Sequence, residues 1–320
     1  MTRRGVILFI ALGIAWGIPY LFIKVAVSEL EPQTVVLGRA ALAAVLLVPI
    51  AAFRHEIMPV LRRWKPMLAF TIIEIVLPWY FLGSAEQRIP SSTAGLLISA
   101  VPLAAVGVAF VLGRRAKLTW INWLGMAVGM AGVAALVGFE IGGSDLIAVV
   151  EIAIVVIGYA LGPAILAHWI PELPGIGITA VSLAAAAIVY VPFVALTGAF
   201  PTEVPSPEVI VAIVVLAVVC SALAFILMVA LVTEIGPFRA TAITYVNPAV
   251  AILAGAIFLS EPITQWTILG FVLVLSGSYL VTKRRREIVE TAVSAAAAGP
   301  ESVVASETSP TTEEPESQRT

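Results

Sequence analysis

The chain has 320 residues, of which 60% are hydrophobic and 12% charged; its formal net charge is −2 and its mean hydropathy +1.06. Soluble domains carry roughly a quarter charged residues, so this composition excludes an ordinary water-soluble fold. The single cysteine, Cys220, excludes an intramolecular disulfide and any cysteine-rich metal site. The apolar pattern predicts ten segments in chain order, at 5–27, 33–53, 66–85, 90–112, 119–138, 145–168, 175–198, 208–232, 237–259 and 263–282. Each is long enough to cross a bilayer, which takes roughly 20 residues. Each must be helical, because a backbone facing lipid satisfies its hydrogen bonds only within the segment. The first segment follows Arg3 and Arg4 directly and is too long for a signal-peptide core, so it is expected to be retained. Connections are short and rich in turn residues, as in Glu31-Pro32, Pro171-Glu172 and Pro201 through Pro207.

The second half of the chain repeats the first. Ile89–Val133 returns as Ile235–Ser278, so that Pro102 aligns with Pro248, Gly125 with Gly270, Gly132 with Gly277 and Thr119 with Thr264. Pro19 pairs with Pro163 and Pro49 with Pro192. A long-period repeat in a very apolar chain points to a transporter built from two related halves. The basic residues set its orientation. With the N-terminus in the cytoplasm, 15 of the 18 lysines and arginines fall inside, leaving Lys24, Arg39 and Arg88 towards the outside. Both termini are then cytoplasmic, in a multi-pass protein of the cytoplasmic membrane. Five helices per half is an odd number, so the halves, 5–138 and 145–282, enter from opposite sides and the repeat is inverted. Residues 287–320 are acidic and nearly free of large apolar groups, and are expected to form a disordered cytoplasmic tail.

Ionisable groups inside apolar helices are costly and therefore informative. Glu74 lies near the middle of the third segment, Glu151 inside the outer end of the sixth and Arg39 in the outer half of the second. Each either faces a central cavity or is held in an interhelical contact. Desolvation opposes ionisation of a buried carboxylate, so Glu74 and Glu151 are candidates for proton coupling. Lys24 reads as a snorkelling interface residue. Pro19, Pro78, Pro102, Pro163 and Pro248 lie within helices, where each removes a backbone donor; they are the candidate hinges or kinks. Ser92, Gly95, Ser99 and Pro102 share one face of the fourth segment, as Thr241, Thr244, Tyr245 and Pro248 do in the ninth. Such faces line a cavity or a close helix contact; Tyr245 and Asn247 favour the cavity. Trp16, Trp79, Tyr80, Tyr159 and Phe225 fall within spans, where aromatic walls suit an apolar or cationic solute and core packing is the alternative. The candidate substrate-lining set is thus Trp16, Arg39, Glu74, Trp79, Ser99, Tyr159, Tyr245 and Asn247. Gly125-x-x-x-Gly129 fits a packing face, within the chain or between two protomers of a homodimer.

These residues resemble the EamA unit of the drug/metabolite transporter superfamily over nearly all of 5–282. Ala15-Trp-Gly-Ile-Pro-Tyr-Leu-Phe-Ile-Lys24 is similar to the opening tryptophan-glycine segment, and Arg39-Ala-Ala-Leu-Ala-Ala to the second-helix arginine with small residues after it. Ala85-Glu86-Gln87 with Ser91 through Pro102 resembles the approach to the fourth-helix proline. Ala240 through Pro248 and Phe258-Leu-Ser-Glu261-Pro-Ile-Thr-Gln265 resemble the ninth-helix proline and the acidic residue beyond it. The resemblance implies an all-α integral membrane protein with ten transmembrane helices in two inverted five-helix repeats. It also implies a central cavity lined by the first four helices of each half, peripheral fifth and tenth helices, and movement of small organic solutes, often outward. Two departures stand out: Arg114-Arg115 occupies the place of Glu261 in the first half, and Glu74 is matched by Cys220.

The leading expectation is a secondary transporter working by alternating access, exporting amino acids, related metabolites or drugs, without a cofactor. No Gly-rich Lys-Ser/Thr loop for ATP is present in the sequence. A membrane-embedded enzyme would need a nucleophile with its base or a set of metal ligands, and His55 and His168 are the only histidines. A non-transporting receptor or scaffold would ordinarily carry a sizeable extramembrane domain.

Overall fold

The computed structural model describes residues 2–111, 119–140, 145–236 and 240–297. All regular structure among the described residues is helical. Among the described residues, eight helices are long and apolar enough to cross a membrane: α1 (Arg3–Ala26), α2 (Pro32–Phe53), α3 (Trp64–Glu86), α4 (Ser91–Ala109), α5 (Trp120–Phe139), α6 (Leu146–Trp169), α7 (Gly175–Thr197) and α8 (Pro207–Ile235). Two shorter apolar helices follow, α9 (Ala242–Phe258) and α10 (Gln265–Val281). Residues Met1–Val281 form one compact unit, and a second begins at Thr282. The last helix is Gln265–Ala297. The alanine-rich, Glu- and Arg-bearing sequence there has high intrinsic helix propensity. Residues 298–320 lie outside the described residues, as do Arg114, Arg115 and Arg239.

The packing repeats as the sequence does. α2 packs along α7, α4 against α9, α1 against α8 and α3 against α6. Exchanging each helix with the one five places on maps the pair α1–α8 onto α6–α3 and returns α2–α7 and α4–α9 to themselves. The glycines of α5 and α10 meet in the same way. A Cβ on Gly125 would lie 2.8 Å from the Gly277 carbonyl oxygen, and one on Gly132 2.8 Å from the Val274 nitrogen. The Gly125/Gly129 face is therefore used inside the chain, which removes it as a contact between protomers.

Carboxylates from one half cap helices of the other. Glu261, beyond α9, accepts from the backbone N–H groups of Ser91 (2.7 Å) and Ser92 (2.9 Å) at the start of α4. Glu56, beyond α2, accepts from Gly177 N (2.8 Å) in the first turn of α7. Both contacts satisfy amides that a helix N-terminus leaves without intrahelical partners, and both place negative charge at the positive end of the helix dipole. Matched caps also open α5 and α10: Thr119 N donates to Asn122 Oδ1 at 3.0 Å, and Thr264 N to Thr267 Oγ1 at 3.1 Å.

Candidate functional site

Irregular backbone marks where the helices depart from simple spans. α1 is interrupted at Ile18, just before Pro19. α4 breaks after Ile98 into a turn that precedes Pro102, and the matching stretch of α9 is a 3-10 turn, Thr241–Tyr245, ahead of Pro248. Four of the five prolines thus sit at an irregularity, Pro78 among them as described below. Pro163 does not: it lies inside the unbroken helix Leu146–Trp169.

The π-helical stretches of α3 and α8 lie at equivalent places in the two halves, Thr71–Val76 and Val218–Leu223. In α3, Pro78 cannot donate to the Glu74 carbonyl four residues earlier. The ladder shifts by one residue, and Leu77 N bonds the Ile72 carbonyl instead. Tyr190 of α7 donates its hydroxyl to the Val76 carbonyl at 2.7 Å, satisfying an acceptor within the shifted stretch. In α8 the cause is a side chain: Ser221 Oγ donates to the Leu216 carbonyl at 2.8 Å and inserts into the ladder.

Arg39 joins these stretches. From α2 its Nε donates to Ser221 Oγ at 2.9 Å, and its guanidinium carbon lies 3.6 Å from the centroid of the Trp79 ring of α3. Arg39 is 8% exposed and Trp79 7%, so this is a dry cation–π contact, which is stronger than an exposed one. Tyr20, Tyr159, Cys220 and Glu86 lie within electrostatic reach of the guanidinium. Tyr159 in turn lies in the field of Glu74. Arg39 and Trp79 are thus in direct contact, and Tyr159, in the field of both Arg39 and Glu74, links Glu74 electrostatically to this buried polar cluster. Glu74 presses its carboxylate onto Gly162 of α6, where any Cβ would collide with it, and its Oε2 has no hydrogen-bond partner.

The remaining candidates lie elsewhere. Trp16 packs edge-to-face with Phe225, centroids 6.0 Å apart, in a separate cluster of α1, α8 and α9. Ser99 turns its hydroxyl back to the Leu96 carbonyl. The Tyr245 hydroxyl donates to the Ser278 carbonyl (3.3 Å), while the Ser278 hydroxyl donates to the Ser99 carbonyl (3.2 Å). Ser99 and Tyr245 thus meet at α10 rather than at Arg39. Asn247 sits at the α1–α9 crossing, where Gly17 passes close to its carbonyl, and its buried Oδ1 is unpartnered. Glu151 accepts from Ser84 Oγ at 2.8 Å and pairs with Arg88, which also reaches Asp145 at 3.2 Å. It is committed to an interhelical ion pair and does not join the central cluster. Thr241 and the loop before it lie outside the described side chains.

Glu86 was missed as a candidate because the predicted third segment ends at 85. The helix runs through Glu86, which is 0% exposed with both carboxylate oxygens unpartnered. Lys24 is half-buried. Its Nζ donates to the backbone carbonyls of Glu86 and Ile89, capping the C-terminal end of α3. The acceptor Ser221 and the donor Tyr190 also escaped notice, since a lone Ser or Tyr in an apolar run carries no pattern. Away from this cluster, an open pocket of about 570 Å³ lies between Glu29–Glu31 and Gly198–Pro205. Hydrogen bonding to Ser206 holds the Glu29 carboxyl below the usual carboxylate range. Among the described residues no group of three His, Cys, Asp or Glu could hold a metal ion.

Membrane-length helices in two similarly packed halves, with broken segments and a buried charged cluster between them, define a multi-pass membrane protein of the transporter kind. The sequence matches the EamA-like transporter family over residues 3–138 and 146–283, and the chain belongs to that family. It is 29% identical over 282 residues to the "uncharacterized inner membrane transporter YedA" of Escherichia coli K12, covering 84% of this chain and 90% of that protein. An "uncharacterized transporter" of Archaeoglobus fulgidus is 26% identical over 275 residues, covering 84% of this chain and 95% of that protein. A solved crystal structure superposes with a TM-score of 0.64 at 18% identity, over 89% of this chain and 99% of that one, which establishes likeness of fold.

Proposed function

We propose that the chain is a secondary transporter that exports small organic solutes across the cytoplasmic membrane by alternating access. In this reading all ten apolar helices span the bilayer, the two halves are inverted, and both termini are cytoplasmic. The observation that carries it is the cluster of Arg39, Trp79, Tyr159 and Glu74 between the halves, flanked by matched π-stretches and matched breaks before Pro102 and Pro248. Helices interrupted at corresponding places in two repeats support rocking of one half against the other around a fixed site. The positive-inside bias of the loops supports the orientation.

Glu74 is the group assigned to proton coupling, since its Oε2 is buried without a hydrogen-bond partner. Reconstituted vesicles carrying a pH gradient test both statements. Solute flux should saturate with concentration and follow the gradient. Glu74→Gln should abolish the pH response while leaving downhill exchange. Flux that is linear in concentration with the wild type removes the transport reading, and an unchanged pH profile in the variant removes Glu74 from coupling.

A further inference from the structure

Arg39 is a buried cation without a buried anion beside it. Among the described residues it makes no ion pair, and its one hydrogen bond leaves from Nε, so the two terminal nitrogens make none. A guanidinium cannot shed its charge by losing a proton, so burial leaves it in need of a partner. The other fixed charges nearby do not supply one. Glu86 lies within electrostatic reach but outside ion-pairing distance, and Lys24 is tied to backbone carbonyls.

The supports of Arg39 are those of an oriented group. Ser221 fixes Nε from α8, and the Trp79 ring fixes the plane from α3. What remains free is the end-on fork of Nη1 and Nη2, whose geometry matches the two oxygens of a carboxylate. We propose that Arg39 is the anchor for a solute carboxylate, so that the cargo class is small organic monocarboxylates, zwitterions included. The inference rests on the transport reading above and adds the chemical group that the site selects. A single available cation compensates one negative charge; a dianionic phosphate would remain half unpaired with Glu86 in reach.

The test uses the full chain in proteoliposomes, with N-acetyl-leucine, leucine and phenylalanine set against the corresponding carboxamides, and phenyl phosphate as a dianion. The wild type should take the acids at least about tenfold better than the amides, the range of a lost charged hydrogen bond, and should reject phenyl phosphate. Arg39→Gln should raise KM for the acids by a similar factor and leave the amides within about twofold, erasing the preference. Arg39→Lys keeps the charge without the fork and should recover part of it. Should Arg39→Gln fail to fold, Ser221→Ala frees the fork to wander and should raise KM for the acids selectively, with kcat little changed. Equal handling of acids and amides by the wild type overturns the proposal. So does a variant that lowers both classes equally, because that is the behaviour of a purely structural arginine. If neutral or cationic solutes move and no acid does, the anchor falls while the transporter stands; if nothing moves, the transport reading falls first.

Discussion

The two π-stretches occupy equivalent positions and carry opposite chemistry. In α3 the stretch holds Glu74, a bulky acid, and faces Gly162 of α6. In α8 it holds Cys220, small and neutral, and the alignment of Pro19 with Pro163 puts Ile18 of α1 where the other half has Gly162. The alignment thus exchanges a charged residue and a glycine in one half for a neutral residue and an isoleucine in the other. The asymmetry continues outward: α2 brings Arg39 to the α8 stretch, whereas the position matching Arg39 in α7, by the offset of Pro49 and Pro192, is Ser182, whose buried hydroxyl has no partner. The sequence is therefore duplicated, while the charges at Glu74 and Arg39 are not repeated at the matching positions Cys220 and Ser182.

The largest effect should come from breaking the compensation in the first half. Gly162→Val drives a branched side chain into the Glu74 carboxylate and should cost about 3 kcal/mol, read as a large fall in Tm of the detergent-solubilised protein. Glu74→Ala in the same chain should restore much of it. An undiminished Tm in the single variant would mean that Glu74 is not packed on α6. Next, Ser221→Ala removes the acceptor of a charged hydrogen bond and should cost about 2 kcal/mol, a loss that a double-mutant cycle with Arg39→Gln should show to be shared. Independent, additive losses would separate Arg39 from the α8 stretch. Tyr190→Phe deletes one neutral hydrogen bond to the α3 stretch and should cost about 1 kcal/mol by the same assay; a neutral outcome would leave the bulge to Pro78 alone. The smallest effect belongs to the exposed pair of Arg63 and Glu172, 2.9 Å apart. Hydrogen bonding within its own backbone and to Arg63 holds the Glu172 carboxyl below the usual carboxylate range. Its contribution is thus present at neutral pH and lost only as pH falls through that lowered value. Glu172→Gln should lower Tm only slightly at pH 7, and the difference from the wild type should vanish as pH falls through that lowered value.

Much of the fold was legible because its signals are additive along the chain. Apolar length located the helices, and the alignment of Pro102 with Pro248 located their matched breaks. The glycine faces of α5 and α10 were visible as spacing, although their partner was not. The site was legible only where the cost of a charge in an apolar run announces itself, as for Arg39 and Glu74. Glu86 was lost to a boundary error of a single residue, and Glu151 could not be told from a cavity residue until Arg88 was seen to reach it. The π-stretches had no sequence signature, since they depend on a ladder shift fixed by Pro78 in one half and by the Ser221 hydroxyl in the other. Pro163 differs from the other four in lying inside an unbroken helix.

The central claim is that the region between the two π-stretches is where solute sits and where access alternates. The chain's only cysteine, Cys220, is buried in the α8 stretch within reach of Arg39 and reports on that region without any substitution. Alkylation by a membrane-impermeant thiol reagent, added to one face of oriented vesicles and then to the other, measures access directly. The account predicts that Cys220 reacts from both faces, and that a transported acid such as N-acetyl-leucine slows the reaction from both faces as it occupies the site. Reaction from neither face, or rates indifferent to every transported solute, would contradict it.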